Sequence, residues 1–333
     1  MTRRETGRAI GYMLIAAFFF CFTEICLKEL NHALHPVELN FSRYLLAGLL
    51  LWPVSRHEIR RRQGHISRHQ WLRFHLLGFV GITIVGPLYQ LAAVRLNAGL
   101  TSVLFSTTPV FIAVLAAIIL HERLSRWQLG ALLVELAAIL ILIHPSSLTL
   151  DPLGLLFLAV TVFCYSLYAV WGKEDMNTLG SVTVTSYSFL CGGMQLLLLA
   201  LLSHLPFIRD SLILYGWETY AAIPLFSGYT LANAGWVLLL YFGVTLGAYL
   251  CWFKAMEYGS TALGSLTYFI KPALSPVFAW LILGEIIDRS MAAGMAAMLI
   301  GAALGIIGTT RHPSTEPVIV KSERMSYHES IFK

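Results

Sequence analysis

Residues 92–126, AAVRLNAGLTSVLFSTTPVFIAVLAAIILHERLSR, are echoed 163 positions later by residues 255–289, AMEYGSTALGSLTYFIKPALSPVFAWLILGEIIDR. At that offset Pro109 falls on Pro272, Ile119 and Leu120 on Ile282 and Leu283, and Glu122 on Glu285. Both copies are apolar runs that close on a single carboxylate. A duplicated membrane hairpin leaves this pattern.

The composition around the echo agrees. Hydrophobic residues make up 57% of the chain and charged residues 12%, with a mean hydropathy of +0.71, whereas soluble domains carry about 25% charge. Cys21, Cys26, Cys164, Cys191 and Cys251 all lie in apolar stretches without pairing or metal-ligand spacing, so they read as small core residues.

Ten segments are long enough to cross a hydrocarbon layer of about 30 Å: residues 9–27, 36–54, 74–96, 99–120, 127–144, 152–171, 182–205, 235–254, 261–283 and 291–309. Arg3, Arg4 and Arg8 precede the first as they would a signal peptide. Its length and the lack of a small-residue cleavage site favour a retained helix. With the N-terminus inside, 17 basic residues fall on cytoplasmic segments and four (Lys28, Arg95, Arg209, Arg289) on outer ones. That bias predicts cytoplasmic N- and C-termini. The net charge of +5 then reports topology and contact with anionic lipid rather than nucleic acid, with Arg60-Arg61-Arg62 as a cytoplasmic anchor.

Ten helices divide into two repeats of five, over residues 9–144 and 152–309, after a cytoplasmic N-terminus at 1–8 and before a tail at 310–333 whose composition predicts disorder. An odd number of helices per repeat inverts one copy against the other. The expected fold is therefore an all-α integral membrane protein of ten transmembrane helices in two inverted five-helix repeats. The earlier helices align at offset 145, which sets Lys28 on Lys173 and Phe20 on Tyr165. The 18-residue difference in offset is an insertion in the outer stretch 206–233, whose Tyr215, Trp217, Tyr220 and Tyr229 suit an interfacial spacer or a flap over a pathway.

These features resemble the drug/metabolite transporter superfamily, specifically bacterial members built from two EamA repeats. The matching residues are Arg43 within Ser42-Arg43-Tyr44-Leu45, the helix start Ala98-Gly99-Leu100-Thr101-Ser102, Pro109 with Glu122, and Lys271-Pro272 with Leu283-Gly284-Glu285. The likeness spans about residues 8–309. It implies a ten-helix carrier that moves small metabolites, often outward, through a central cavity. Where the family has an aromatic-glycine pair in the first helix, this chain has Phe20-Cys21.

Glu24, Arg43, Glu135 and Lys271 are ionisable within predicted spans, where a charge costs about 2.5–3.5 kcal/mol at a helix centre. Their repeat equivalents are Ala169, Ser188, Met298 and Thr108, so the duplicated scaffold carries its charges asymmetrically. That favours one specialised cavity.

Glu24 and Arg43 lie at similar depths and could pair, with Arg43 either a tether or a substrate ligand. Lys271, followed by Pro272 and Pro276, could receive a carboxylate or phosphate beside carbonyls freed by the prolines, or form a structural ion pair. Tyr268 shares its face, while Tyr89 and Gln90 on helix three and Tyr168 on helix six are further cavity candidates. Glu24 and Glu135 are the candidate proton-coupling groups, against an interfacial role for Glu24 and that of a quiet hydrogen-bonded residue for Glu135. Glu122 and Glu285 read as hinge or capping residues.

No HExxH, GxSxG or DDxxD pattern is present, and His121-Glu122 lacks a further metal ligand at useful spacing. The expectation is a secondary transporter in a bacterial inner membrane, without cofactor or metal, that moves a small amphipathic metabolite with an anionic group, such as an amino acid, and that exports it as the resemblance implies. Its expected partners are that solute, the lipid bilayer and, as a candidate coupling ion, the proton. A receptor or assembly subunit on the same scaffold is the alternative, and it would show no solute flux.

Overall fold

The structure, a computed structural model, describes residues 3–62, 64–119, 121, 126–142, 151–258 and 267–311. Among them there is no strand. The first half contains α1 (Arg3–Phe20), α2 (Thr23–Leu30), α3 (Pro36–Arg61), α4 (Arg68–Gly78), a π segment (Phe79–Ile84), α5 (Val85–Arg95), α6 (Ala98–Phe105), α7 (Thr108–Ile119) and α8 (Arg126–Leu142). The second contains α9 (Pro152–Leu179), α10 (Ser181–Leu202), α11 (Pro206–Leu214), a 3-10 turn (Glu218–Tyr220), α12 (Ala234–Leu238), a second π segment (Leu239–Ala248), α13 (Tyr249–Tyr258), α14 (Thr267–Leu283) and α15 (Arg289–Arg311). Six stretches are long and apolar enough to cross a membrane: Ile10–Leu30, Arg68–Arg95, Ala98–Ile119, Pro152–Lys173, Ser181–Leu202 and Ala234–Trp252.

Two helices expected to run unbroken are interrupted. The first breaks at Cys21-Phe22, where Thr23 Oγ1 donates to the Phe20 carbonyl at 2.7 Å. The Cys21 carbonyl instead accepts Ser275 Oγ from α14 at 3.1 Å. The fourth breaks at Ser106-Thr107. There Ser106, Thr107 and Thr108 turn their hydroxyls back onto the carbonyls of Ser102, Leu104 and Phe105. Pro109 adds its missing N–H and a clash with the preceding turn.

The two halves repeat each other in detail. The first π segment, moved by 163 positions, falls inside the second. α3 and α10 are equivalent and pack antiparallel. Thr183 at the start of α10 donates through N–H and Oγ1 to Glu58 near the end of α3, at 3.3 and 3.2 Å.

Along that crossing, a Cβ on Gly48 would sit 2.8 Å from Leu190 Cγ, and one on Gly193 2.8 Å from Leu45 Cγ. Gly48 and Gly193 are equivalent at offset 145, as are Leu45 and Leu190. Each helix thus places its leucine over the other's glycine, the reciprocity expected about a two-fold axis. The remaining packing follows suit: α8 lies along α15, α5 along α9 as α1 along α13, and α7 on α9 as α1 on α14.

Helix ends also sort by face. Arg95 meets Asp151 at 2.7 Å on one face, and Arg73 meets Asp175 at 2.8 Å on the other. Asp151 caps α9 through the N–H groups of Leu153 and Gly154, and the Arg95 hydrogen bond holds its carboxyl below the usual range. The insertion at 206–233 is tied down. Ser227 N–H donates to Glu38 at 2.9 Å, and the hydroxyls of Ser42, Tyr229 and Tyr241 form a closed triangle with sides of 2.5–2.8 Å.

Candidate functional site

The break in the first helix sets Glu24 in the opening turn of α2, fully buried. Its Oε1 accepts Lys271 Nζ from α14 at 2.6 Å and a short hydrogen bond from the Tyr89 hydroxyl. Lys271 Nζ also lies 3.3 Å from Tyr89 Oη and 5.1 Å from the centre of the Phe105 ring. One carboxylate, one ammonium and one phenol from three helices thus share a buried contact. Of the partners open to Glu24, the structure gives it Lys271 rather than Arg43.

Arg43, on α3, is also buried. Its guanidinium donates to Tyr44 Oη at 2.8 Å and stacks over the Tyr44 ring at 4.4 Å. Its Nε has no hydrogen-bond partner. Arg43 and Lys271 both open onto one cavity of about 90 Å³.

Aromatic rings make most of the cavity wall. Phe20 and Tyr165 are repeat equivalents at offset 145, Tyr89 and Trp252 at offset 163, and all four line it. The rings brace one another: Tyr89 lies 4.7 Å from Phe105, Phe105 5.4 Å from Tyr165, and Phe20 5.2 Å from Tyr249. The second π segment places Val244 and Thr245 on the cavity wall, and Val85, the residue that follows the first, also lines it. Irregular turns of this kind often occur at functional sites.

The other candidates divide. Gln90 is buried and accepts Asn40 Nδ2 at 3.1 Å, away from the cavity wall. Tyr168 is buried behind the wall, its ring 5.9 Å from that of Tyr165. The side chains of Tyr268 and Glu135 lie outside the described residues, as does Glu122. Tyr165, which with Tyr168 and Trp171 on helix six could be read as a cavity wall, does line it, while Phe20, Phe105 and Trp252 were missed, although offsets 145 and 163 pair Phe20 with Tyr165 and Tyr89 with Trp252.

Glu285 closes one end of the same helices. Its Oε1 accepts Lys28 Nζ and the Ala98 N–H, both at 2.7 Å, and its Oε2 accepts the Gly99 N–H at 2.9 Å. It therefore caps α6, where the helix dipole favours an anion. It also joins α14 of the second half to α2 and α6 of the first. Among the described residues no three His, Cys, Asp or Glu side chains are grouped to hold a metal ion.

Apolar helices around a buried, charged, aromatic cavity have the architecture of a multi-pass membrane carrier. The chain belongs to the EamA-like transporter family of the drug/metabolite transporter superfamily, whose family model matches residues 7–144 and again 152–307. It is similar to a protein of Clostridium kluyveri named an uncharacterized transporter, with 27% identity covering 88% of this chain and 91% of the relative. It is also similar to Protein PecM of Dickeya dadantii, with 25% identity covering 68% and 70%. A chloroplastic WAT1-related protein of Arabidopsis thaliana shares 25% identity over 88% and 68%. One solved crystal structure shares the fold, with a TM-score of 0.60 over 92% of this chain and 99% of the other at 18% identity. The chain is a membrane transporter and not an enzyme.

Proposed function

We propose that this chain is a ten-span secondary transporter of a bacterial inner membrane that exports a small amphipathic metabolite by alternating access. Two inverted repeats, over residues 9–144 and 152–309, move against each other around the midplane cavity. Both termini face the cytoplasm, in keeping with the distribution of basic residues.

One observation carries this reading: a buried cavity between the halves, walled by repeat-equivalent aromatic pairs and carrying the cations Arg43 and Lys271. The aromatic wall suits an apolar body and the Arg43 guanidinium suits an anionic group, a combination an amino acid also offers, with Lys271 held by Glu24. The Glu285 contacts with Lys28 and α6 hold the outer ends of the halves together. In an outward-open state they separate.

Comparing solutes released by cells that overproduce the protein with those from cells lacking it tests direction and substrate together. Export predicts solutes enriched outside the producing cells, and equal media contradict it. Glu24, in contact with Lys271 and Tyr89, is the proposed proton-coupling group, with Glu135 the second candidate. Flux that falls when a pH gradient is collapsed supports coupling, and unchanged flux argues against it.

A further inference from the structure

The charges around the cavity do not balance. Glu24 and Lys271 neutralise each other at 2.6 Å. Arg43 is 4% exposed, yet among the described residues no carboxylate lies within ion-pair reach of it. Its contacts are with one phenol, Tyr44, and its Nε donor is unsatisfied.

The other buried carboxylates are engaged elsewhere. Glu38 accepts from Ser227, about 140° around α3 from Arg43. Asp175 meets Arg73 at the far end of α9. α8, which carries Glu135, packs on α15 and α7 rather than on α3. A guanidinium removed from water without a counter-charge is costly, and it stands on the wall of an aromatic cavity.

We infer that the cavity takes a solute of net charge −1, its anionic group held by the Arg43 guanidinium and its apolar body by the aromatic wall, while Lys271 stays paired with Glu24. This rests on the transporter reading and narrows its substrate class. A monoanion brings the cavity to neutrality, whereas a zwitterion or a neutral solute leaves the excess charge in place. Arg43 supplies a planar donor edge suited to a carboxylate.

The test uses the full-length protein in lipid nanodiscs and three probes with one apolar body: 3-phenylpropionate, its neutral amide 3-phenylpropanamide, and zwitterionic phenylalanine. Calorimetry on the wild type should rank the carboxylate about tenfold or more above the other two. Arg43→Gln should erase that ranking, and Arg43→Lys should retain part of it. The double variant Glu24→Gln/Lys271→Gln removes the neutral pair together and should keep the ranking, because Arg43 remains.

A wild type that does not favour the carboxylate overturns the inference. So does a double variant that loses the ranking, which would place the anion on Lys271 and decides the matter even if Arg43→Gln fails to fold. Solute counterflow in proteoliposomes reports separately on the transporter reading. Counterflow of other solutes without carboxylate preference sinks this inference alone, whereas carboxylate binding with no counterflow of any solute sinks the transport reading.

Discussion

Two halves of this molecule present equivalent side chains to one cavity and then diverge. Phe20 and Tyr165, and Tyr89 and Trp252, occupy matching positions and line the same wall. Arg43 has Ser188 as its counterpart, Glu24 has Ala169, and Lys271 has Thr108. The shared features are those a two-fold scaffold needs: the glycine-leucine crossing of α3 and α10, the π segments and the aromatic wall. The unshared ones are the charges. Packing is thus conserved between the halves while charge is concentrated at one place, which separates the parts that build the carrier from those that select its cargo.

The largest disturbance of that comparison is Lys271→Ala. It leaves Glu24 buried and unpaired, and removing one partner of a buried pair costs about 3–5 kcal/mol. Thermal unfolding in detergent should show the loss, and the double variant Glu24→Gln/Lys271→Gln should recover much of it. Strict additivity of the two changes would break the pairing argument.

Next is the closure at Glu285. Glu285→Gln weakens bonds to Lys28 and to the N–H groups of Ala98 and Gly99, where a bond to a charged group is worth about 1.5–3 kcal/mol. Hydrogen exchange of the amides at 98–100 should accelerate, and unchanged protection would detach Glu285 from the cap. The symmetry itself is sharpened by Gly48→Ala and Gly193→Ala. Each new methyl meets the opposing leucine, so each should cost a similar amount, about 1–3 kcal/mol. Clearly unequal losses in paired melting curves would contradict the reciprocal crossing.

The smallest effect concerns the helix caps, where the halves differ again. His35 caps α3, its Nδ1 accepting the Val37 N–H at 3.2 Å, while its equivalent Gly180 starts α10 at a φ of 92°. A Cβ on Gly180 would run into the Glu58 carboxylate, so glycine is required there. Burial pushes the His35 pKa below its ordinary 6.5. The unfolded chain therefore takes the proton first, and stability declines as pH falls below about 6.5, until the folded histidine is also charged. His35→Asn keeps a cap acceptor and should flatten that decline. An identical decline in melting temperature would remove His35 as its source.

Much of this was legible in the sequence because hydropathy and a fixed offset record span positions and repeat equivalence directly. The helix class and the duplication followed from those alone. Partners did not. Depth along a helix says nothing of which neighbour a side chain turns toward, so a Glu24–Arg43 pair and an ion pair of Lys271 were both open, and the fold joins Glu24 to Lys271. The breaks at Cys21-Phe22 and Ser106-Thr107 were also hidden, since apolar runs continue through them and the cause lies in hydroxyls bonding back to the chain. The Glu285 cap was readable as a capping residue, but its partner helix required the fold.

The account stands most directly on counterflow. Proteoliposomes holding the wild-type protein and preloaded with unlabelled 3-phenylpropionate should transiently accumulate labelled 3-phenylpropionate above its outside concentration, which passive diffusion cannot produce. Saturable accumulation that is lost in Arg43→Gln is the predicted result. Labelled solute that never exceeds the level in protein-free vesicles, for this probe and for amino acids alike, would contradict the carrier itself.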